Sequence, residues 1–327
     1  MRTPLCDLLG IEAPVVLAPM GGAVTPILAA AVSNAGALGM LPLTWTPPEE
    51  IATIVDETRQ QTAHPFGVNL GLAWDQRERL ASALTAGVRV VSFFWGDASG
   101  VIGEAREAGA VVFVTVGTAD EGRAAAAAGA DVVVAQGWEA GGHVWGTVST
   151  LALVPRVVDA VAPVPVVAAG GVADGRGLAA VLALGAAGAW VGTRFLAATE
   201  AAIHPDYRRR ILAAGEADTF YGTLFDRGWP DAPHRTLRNS TVDAWERAGR
   251  PASGSRPGED DEPASRPDGS PINRYASSTP TAAMTGDVEP LPHWAGQGVG
   301  LVTHDENAAD IVQSLVTEAE AVINSLR

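Results

Sequence analysis

The segment "VPVVAAGGVADGRGLAAVLALGA", residues 164–186, shows the pattern that decides the fold of this chain. A short β-branched run ends in two glycines, and an alanine- and leucine-rich stretch of helical length follows it at once. The apolar run does not alternate with polar residues, so both of its faces should be buried, as in a parallel sheet. The segment therefore predicts one strand followed by one helix.

Seven further runs of this kind occur in the first 195 residues. The predicted strands are 15–20, 37–41, 66–72, 90–96, 111–117, 132–137, 164–171 and 189–195. Several helices between them finish at a glycine, as in "AAGAD", where a left-handed residue can end a helix. Eight such units predict a TIM (β/α)8 barrel, with an open doubly wound sheet as the alternative. No GxGxxG motif follows the first strand, which favours the barrel.

The chain divides into three predicted regions. Residues 1–227 hold the barrel. Residues 228–292 include "GRPASGSRPGEDDEPASRPDGSP", which is rich in proline, glycine, serine and acid, and they form an insertion or lid. This insertion is either disordered or fixed by contact with the barrel, because its composition cannot bury enough apolar surface alone. Residues 293–327 contain an amphipathic pattern that predicts a closing helix packed back on the barrel.

Composition excludes several function classes. The 327 residues carry a net charge of −15, which argues against a nucleic-acid partner. All 22 basic residues are arginine, so Schiff-base lysine chemistry is excluded. The single cysteine, Cys6, excludes a disulfide framework and indicates a reducing compartment. With no signal peptide, no membrane span and no metal-ligand spacing recognised, we expect a cytoplasmic protein without a metal site. A homodimer stays open.

Two of the strand ends predict a phosphate site. In a TIM barrel the active site lies at the carboxyl ends of the strands, and phosphates often bind after strands seven and eight. Gly170 and Gly171 follow the seventh predicted strand, and Gly192 and Thr193 follow the eighth. The helix that begins near "VADGRG" is expected to offer free N–H groups to the anion. The alternative is that these glycines only permit tight turns.

Polar side chains at the ends of strands three and six can contact a flat heterocycle. Asn69 and Gln136 both donate and accept hydrogen bonds, as the edge of an isoalloxazine requires, or they are buried amides with protein partners. In "AQGWEAGGH", His143 follows two glycines that let the loop place an imidazole over the barrel mouth. A neutral histidine there can accept a proton or donate a hydrogen bond to an anion.

Together these motifs resemble the nitronate monooxygenases, formerly called 2-nitropropane dioxygenases. The resemblance rests on "APMGG", "NAGALG", "FGVNL", "AQGWEAGGH", "AAGG", "GTRF" and "WAGQGVGLV". It implies an FMN-containing TIM barrel with a small lid, related to the FMN-dependent enoyl-acyl-carrier-protein reductases. The implied cofactor contacts are Met20, Gly21, Asn69, Gln136, Gly141, Gly142, Gly170, Gly171, Gly192 and Thr193.

The resemblance also implies a reaction, in which His143 is the catalytic histidine. An alkyl nitronate is oxidised with O2 to a carbonyl compound and nitrite, and His143 orients the nitronate or takes the α-proton of a nitroalkane. The alternative on the same fold is an NAD(P)H-dependent reductase of a quinone or an enoyl thioester. A third hypothesis, from another class, is a flavin-binding protein without turnover.

The chain departs from the family pattern at the fourth strand. Many members have a histidine in this motif, whereas this chain has Phe94 in "SFFWGD". With Trp95, Trp138 and Trp145, Phe94 predicts an unusually aromatic substrate pocket. The tryptophans either select a larger, flatter substrate than a short nitronate or cover the flavin.

Overall fold

Eight parallel strands form the centre of the molecule in the computed structural model, which describes residues 1–326. Arg327, the last residue of the predicted segment 293–327, lies outside the described residues. The barrel strands are β1 (Val15–Leu17), β2 (Gly39–Pro42), β3 (Phe66–Gly71), β4 (Val90–Phe94), β5 (Val111–Val116), β6 (Val132–Gln136), β8 (Val166–Ala169) and β9 (Gly188–Val191). The short strand β7 (Gly142–His143) belongs to a different sheet.

The sheet closes on itself. Its strand order is β1-β9-β8-β6-β5-β4-β3-β2, so β1 and β2 are the two outer strands of the series. A parallel bridge between Val16 and Leu38 joins them, with hydrogen bonds of 3.0 Å from Leu38 N to Val15 O and 2.9 Å from Leu17 N to Leu38 O. The prediction of a TIM barrel is confirmed.

Helices follow the strands around the barrel. They are α1 (Pro4–Leu9), α2 (Pro26–Asn34), α3 (Ile51–Gln61), α4 (Arg77–Thr85), α5 (Ser99–Glu107), α6 (Ala119–Ala128), α7 (Thr150–Val161), α8 (Gly175–Ala183), α9 (Thr193–Leu196), α10 (Pro205–Ala213), α11 (Ser240–Arg247) and α12 (Ala308–Ser325). Helix α6 shows the local rules. The Thr118 side chain accepts from the Glu121 N–H at its start, and Gly129 ends it at a left-handed φ of 104°.

The predicted strands extend too far at their carboxyl ends. Residues 15–20 were expected to be extended, but β1 stops at Leu17. Residues 189–195 were likewise expected to form one strand, yet β9 ends at Val191 and α9 begins at Thr193. Apolar residues continue past these strand ends because the loops also pack against the interior, and composition does not distinguish the two cases.

Both faces of the barrel strands are buried, as the apolar runs predict. In β6, Val132 and Val134 pack inside the barrel with Phe113 and Trp190. The alternate residues Val133 and Ala135 belong to the layer between the barrel and the helices. Side chains of α1, including the buried Cys6, join the inner cluster. The interior is therefore a packed core, and the space for a ligand lies above it.

Residues 228–292 fold over the barrel mouth. Strand β11 (His234–Leu237) lies between β10 (Thr219–Gly222) and β7 in an antiparallel sheet. A second small sheet contains β12 (Ala264–Ser265), β13 (Pro271–Ile272) and β14 (Thr285–Gly286). Of the two predicted states, the structure has the contact-fixed lid. We use "lid" for residues 228–292; its limits stay a prediction, since β10 precedes residue 228 and pairs with β11.

Buried charge compensates for the low apolar content of the lid. Arg256 is buried, and its guanidinium lies 2.9 Å from Asp226 and 2.5 Å from Glu259. The hydrogen bond from Arg256 lowers the pKa of Glu259 to about 2. The same guanidinium lies 4.0 Å from the centre of the Tyr275 ring. These contacts fix a segment that has only small hydrophobic clusters of its own.

Helix α12 packs against the barrel layer through a stripe of buried residues, which are Ala308, Ile311, Val312, Leu315 and Ala319. The predicted packing of the C-terminal helix on the barrel is therefore what the structure shows. Within residues 1–326, no helix combines the length and the apolar character needed to cross a membrane.

Candidate active site

A cavity of about 810 Å3 lies at the carboxyl ends of the barrel strands, beneath the lid. Its volume falls in the range of roughly 300–1,000 Å3 typical of ligand and cofactor sites. The structure brings most of the sequence-predicted residues to its lining. These are Met20, Gly21, Asn69, Phe94, Gln136, Gly141, Gly142, His143, Gly170, Gly171, Gly192 and Thr193.

Glycines from two distant segments make one wall of the cavity. A Cβ atom on Gly141 would lie 2.4 Å from the backbone N of Gly296, and one on Gly298 would lie 2.9 Å from the carbonyl oxygen of Gly171. The Gly296 N–H donates to the Thr193 hydroxyl at 3.0 Å. These glycines are needed for backbone contact between the loops, in addition to any contact with a ligand.

Glu139 anchors the loop that carries His143. Its carboxylate accepts hydrogen bonds from the backbone N–H of Thr150, at 2.9 and 3.1 Å, and lies 3.1 Å from the Thr150 hydroxyl oxygen. Thr150 is the first residue of α7, so the negative charge lies at the positive end of a helix. The Thr150 hydroxyl also donates to Gly170 O at 2.9 Å, which joins the loops after β6 and β8.

Replacing Gly141 by alanine is expected to destabilise this wall by roughly 3 kcal/mol and to weaken cofactor retention, because backbone atoms would have to move. Urea denaturation and the flavin content of the purified variant measure both effects. Gly103→Ala is the matched control, since its Cβ meets no atom within 4 Å and it lies inside α5. Equal stability of Gly141→Ala and the wild type would contradict the close backbone contact.

Unpaired backbone donors lie where the sequence predicts a phosphate. Within residues 1–326, the N–H groups of Gly171, Gly192 and Thr193 have no hydrogen-bond acceptor. The expected contribution of the α8 N-terminus is wrong. There the Gly177 N–H donates to Asp174 at 3.0 Å, and the Gly175 N–H donates to Glu318 at 2.9 Å. Two carboxylates therefore occupy the end of that helix, and loop amides are the donors that remain.

The two predicted amide side chains are partly committed to protein partners. Asn69 Nδ2 donates to the carbonyl and hydroxyl oxygens of Ser92, at 3.3 and 3.2 Å. Gln136 Nε2 donates to His143 O at 3.1 Å, and its Oε1 accepts from the Trp145 N–H at 2.8 Å. Gln136 therefore holds the His143 loop in place. Each amide keeps unused hydrogen-bonding capacity, and both line the cavity.

His143 is held on β7 by pairing with His234 of the lid strand β11. Its ring stacks on Trp229, with centroids 3.9 Å apart and an interplanar angle of 28°. His143 Nε2 is buried and has no hydrogen-bond partner among residues 1–326. Burial, with a smaller effect of His234, lowers the pKa of His143 to about 3. The imidazole is therefore neutral at physiological pH.

His234 supports the neutral state of its neighbour. Its Nε2 accepts from the Phe225 N–H at 3.2 Å, so its Nδ1 carries the proton and donates to Ala232 O at 2.9 Å. Burial lowers the pKa of His234 to about 4. Two neutral imidazoles, with ring centroids 5.7 Å apart, therefore lie at the inner end of the lid.

Of the four residues of the predicted aromatic pocket, the structure places one at the cavity. Phe94 lines the cavity, but Trp95, Trp138 and Trp145 are absent from its lining. The Trp138 ring packs against the Arg235 guanidinium, whose central carbon lies 4.3 Å from the centroid of the ring. Trp145 turns outward and donates from Nε1 to Glu121 at 3.0 Å. Being next to His143 in sequence does not fix the side of the loop on which a side chain lies.

Other aromatic residues line the cavity instead. Trp45, from the loop after β2, and Trp229, from the lid, line it and lie 5.8 Å apart. Trp74 contacts both, at 5.5 and 4.7 Å, and Trp95 lies 5.1 Å behind Trp229. Sequence reasoning missed Trp45 and Trp229, because neither adjoins a recognised motif. The aromatic character that the sequence predicts is therefore present, but with different residues.

A protein-family model described as "Nitronate monooxygenase" matches residues 2–77 and 70–318, which is most of the chain. The chain belongs to the nitronate monooxygenase family. The predicted resemblance is confirmed, and the chain is an oxidoreductase.

Relatives in and near the nitronate monooxygenase family differ in their named reactions. The (3aS,4S,5R,7aS)-5-hydroxy-7a-methyl-1-oxo-octahydro-1H-indene-4-carboxyl-CoA dehydrogenase of Mycobacterium tuberculosis is 43% identical over 253 residues, covering 76% of this chain and 70% of that protein. The nitronate monooxygenase of Paraburkholderia phytofirmans is 32% identical, and the match covers 100% of this chain and 97% of that protein. The structure of FabK from Thermotoga maritima superposes with a TM-score of 0.83 at 32% identity, and the match covers 100% of this chain and 99% of that chain.

Proteins of the nitronate monooxygenase family are flavoenzymes, and the residues present here fit a flavin mononucleotide. The loop amides of Gly171, Gly192 and Thr193 are free donors for a phosphate. Asn69 and Gln136 border the space available to a flat ring. In the described part of the chain, no group of three or more His, Cys, Asp or Glu side chains is arranged to hold a metal ion.

Proposed function

We propose that this protein is an FMN-dependent monooxygenase that oxidises alkyl nitronates with O2 to a carbonyl compound and nitrite. The observation that carries the proposal is the neutral imidazole of His143, which lines the cavity. Membership of the nitronate monooxygenase family supports it. When bound, FMN supplies the redox chemistry and the reaction with O2.

The side chains of this protein bind and orient the substrate. His143 lies in a water-poor environment beneath Trp229, where a hydrogen bond to a nitronate oxygen is strengthened by the low dielectric. An anionic nitronate beside the imidazole favours protonation of the ring, so binding raises the pKa of His143 from about 3. The neutral ring can also take the α-proton of a neutral nitroalkane.

The loop amides hold the cofactor in this proposal. The N–H groups of Gly171, Gly192 and Thr193 bind the FMN phosphate, and the remaining N–H of Gln136 is available to the ring. Because Gln136 also bonds to His143 O, one side chain would contact both the cofactor and the loop that carries the histidine. Trp45 and Trp229 exclude water from the space between them.

A second candidate is an NAD(P)H-dependent reductase or dehydrogenase of a quinone or a thioester. The 43% identity to a carboxyl-CoA dehydrogenase and the similarity to FabK favour it. Arg266 of the lid and Arg227, which directly precedes the lid, line the cavity and are also more useful to a large anionic substrate than to a short nitronate.

Mixing the purified flavoprotein anaerobically with propionate 3-nitronate and, separately, with NADH distinguishes the candidates. The monooxygenase proposal expects the nitronate to change the flavin absorbance, NADH to leave it unchanged, and nitrite to form once O2 is admitted. Full bleaching by NADH, with no response to the nitronate, would establish the reductase instead. Heat-released flavin, identified by chromatography, tests the FMN assignment independently.

A further inference from the structure

The lid wall of the cavity carries two arginines beside a run of hydroxyl side chains, and the proposed nitronate reaction uses none of them. Arg227 and Arg266 line the cavity. The hydroxyl residues of the same wall are Ser277, Ser278, Thr279 and Thr281. All of these residues come from the proline-, glycine- and acid-rich part of the sequence or its immediate border, where no functional residue was predicted.

The two arginines are held at one point of this wall. Arg266 donates from Nη2 to Ser278 Oγ at 3.3 Å and from Nη1 to Pro271 O at 3.2 Å. The carbonyl oxygen of Arg227 accepts from the Ser277 N–H at 2.9 Å and from its hydroxyl at 3.2 Å. Arg266 therefore contacts this segment through its guanidinium and Arg227 through its backbone, while the Arg227 guanidinium donates to Glu259 O at 2.9 Å.

Their charges are poorly compensated. Arg238, Arg250, Arg256 and Arg274 of the lid each form a close ion pair with a carboxylate. Arg266 has no carboxylate within 4.0 Å among the described residues, and the nearby Asp268 accepts from Ser270 instead. Arg227 lies 3.6 Å from Glu259 and 3.5 Å from the exposed Asp260. In a chain of net charge −15, weakly paired arginines at a cavity wall favour an anionic ligand.

We infer that Arg227, Arg266, Ser277 and Ser278 form a subsite for the phosphate end of an extended substrate or co-substrate. The reacting end of that molecule lies toward His143 in the same cavity. Two guanidinium groups and the Ser278 hydroxyl, which accepts from Arg266 and keeps its own proton, supply donors in several directions, which suits the several oxygens of a phosphate better than a single carboxylate. The inference rests on the proposed function only in placing the reacting carbon beside His143.

Two kinds of molecule share this chemistry. A thioester on a nucleotide carrier bears phosphates far from its reacting carbon, and so does a nicotinamide dinucleotide. Both need a long cavity with an anion site at its mouth. The arginines of the lid wall are on the same cavity as His143, and Trp229, only two residues from Arg227, stacks on the His143 ring. The subsite residues and His143 therefore line one cavity.

Isothermal titration of the FMN-loaded protein tests the subsite without turnover. The probes are adenosine 3′,5′-bisphosphate for a thioester carrier, NADP+ for a dinucleotide, and adenosine as the phosphate-free reference. Arg266→Ala and Arg227→Ala are compared with Arg247→Ala, which removes an exposed lid arginine that does not line the cavity. We expect roughly tenfold weaker binding of a phosphate probe to either cavity variant, and unchanged binding to Arg247→Ala.

The probe that binds identifies the source of the phosphate. Absence of binding by both phosphate probes to the wild type would overturn the subsite, and so would equal affinities in Arg266→Ala and Arg247→Ala. Loss of FMN from Arg266→Ala would also overturn it, by assigning the arginine to the cofactor. Because the nitronate test uses a substrate without phosphate, the wild type can fail that test and still show arginine-dependent binding, which separates the two failures.

Discussion

Replacing His143 by asparagine is expected to lower kcat/KM for the nitronate by roughly 100-fold or more while the flavin stays bound. The imidazole is the ionisable group buried at the cavity wall with an unused nitrogen, and asparagine cannot take up its proton. Gln136 bonds to the backbone of residue 143, so the loop keeps its anchor in the variant. Steady-state kinetics, with flavin content and thermal stability measured on the same samples, check this result.

The matched control is His64→Asn, which changes an exposed histidine that does not line the cavity. It should retain wild-type kinetics. A fall in kcat with an unchanged KM assigns His143 to the chemical step, whereas a rise in KM alone assigns it to substrate binding. Wild-type activity of His143→Asn on nitronate would remove the histidine from the mechanism.

The free energy of unfolding is expected to fall by roughly 4 kcal/mol for each pH unit lost near pH 5. Burial lowers the pKa values of His143, His234 and His293 to about 3, 4 and 3. In the unfolded chain these groups have pKa values near 6.5, so between about pH 5.5 and 4.5 the unfolded state holds nearly three more protons than the folded state. Protons therefore stabilise the unfolded state in this window, and above pH 7 the three histidines have no effect.

Urea denaturation at pH 7.5, 6.0 and 5.5 measures this slope. His293→Phe should reduce it by about one third, because the ring stacked on Tyr207 at 4.7 Å would no longer titrate. The exposed His64, replaced by glutamine, serves as the control for a histidine that is not buried. The pKa of Glu259 is lowered to about 2, so the stability that this carboxylate contributes is lost only below about pH 4.5. Its effect can therefore be separated from that of the histidines. A flat profile from pH 7.5 to 5.5 would refute the burial of neutral histidines.

Local sequence signals predict the barrel well because they act over short distances. The glycine after α6 and the unbroken apolar run of β6 each report a conformation that their own residues favour. Gly171, which has a left-handed φ of 78°, was predictable for the same reason, whereas Gly141 was expected only from the family resemblance. The error at α8 has the opposite cause, since Glu318 reaches the Gly175 N–H from 143 residues away.

The lid residues could not be predicted from pattern. Trp229, Arg227 and Arg266 lie in or beside a segment without hydrophobic periodicity, and long-range ion pairs such as Arg256 with Asp226 fix their positions. The side of the loop on which Trp138 lies depends on Arg235, which is distant in sequence. Composition shows that this segment is poor in apolar residues. The long-range contacts of the segment decide which of its residues line the cavity.

The contact between Gly141 and Gly296 has a consequence for the order of biosynthesis. The two loops are separated by about 150 residues, yet their backbones must touch to complete the cavity wall. During translation, at roughly 5–20 residues per second, the barrel strands emerge many seconds before "WAGQGVG" does. The nascent barrel therefore lacks this part of the cavity wall until residue 296 has left the ribosome.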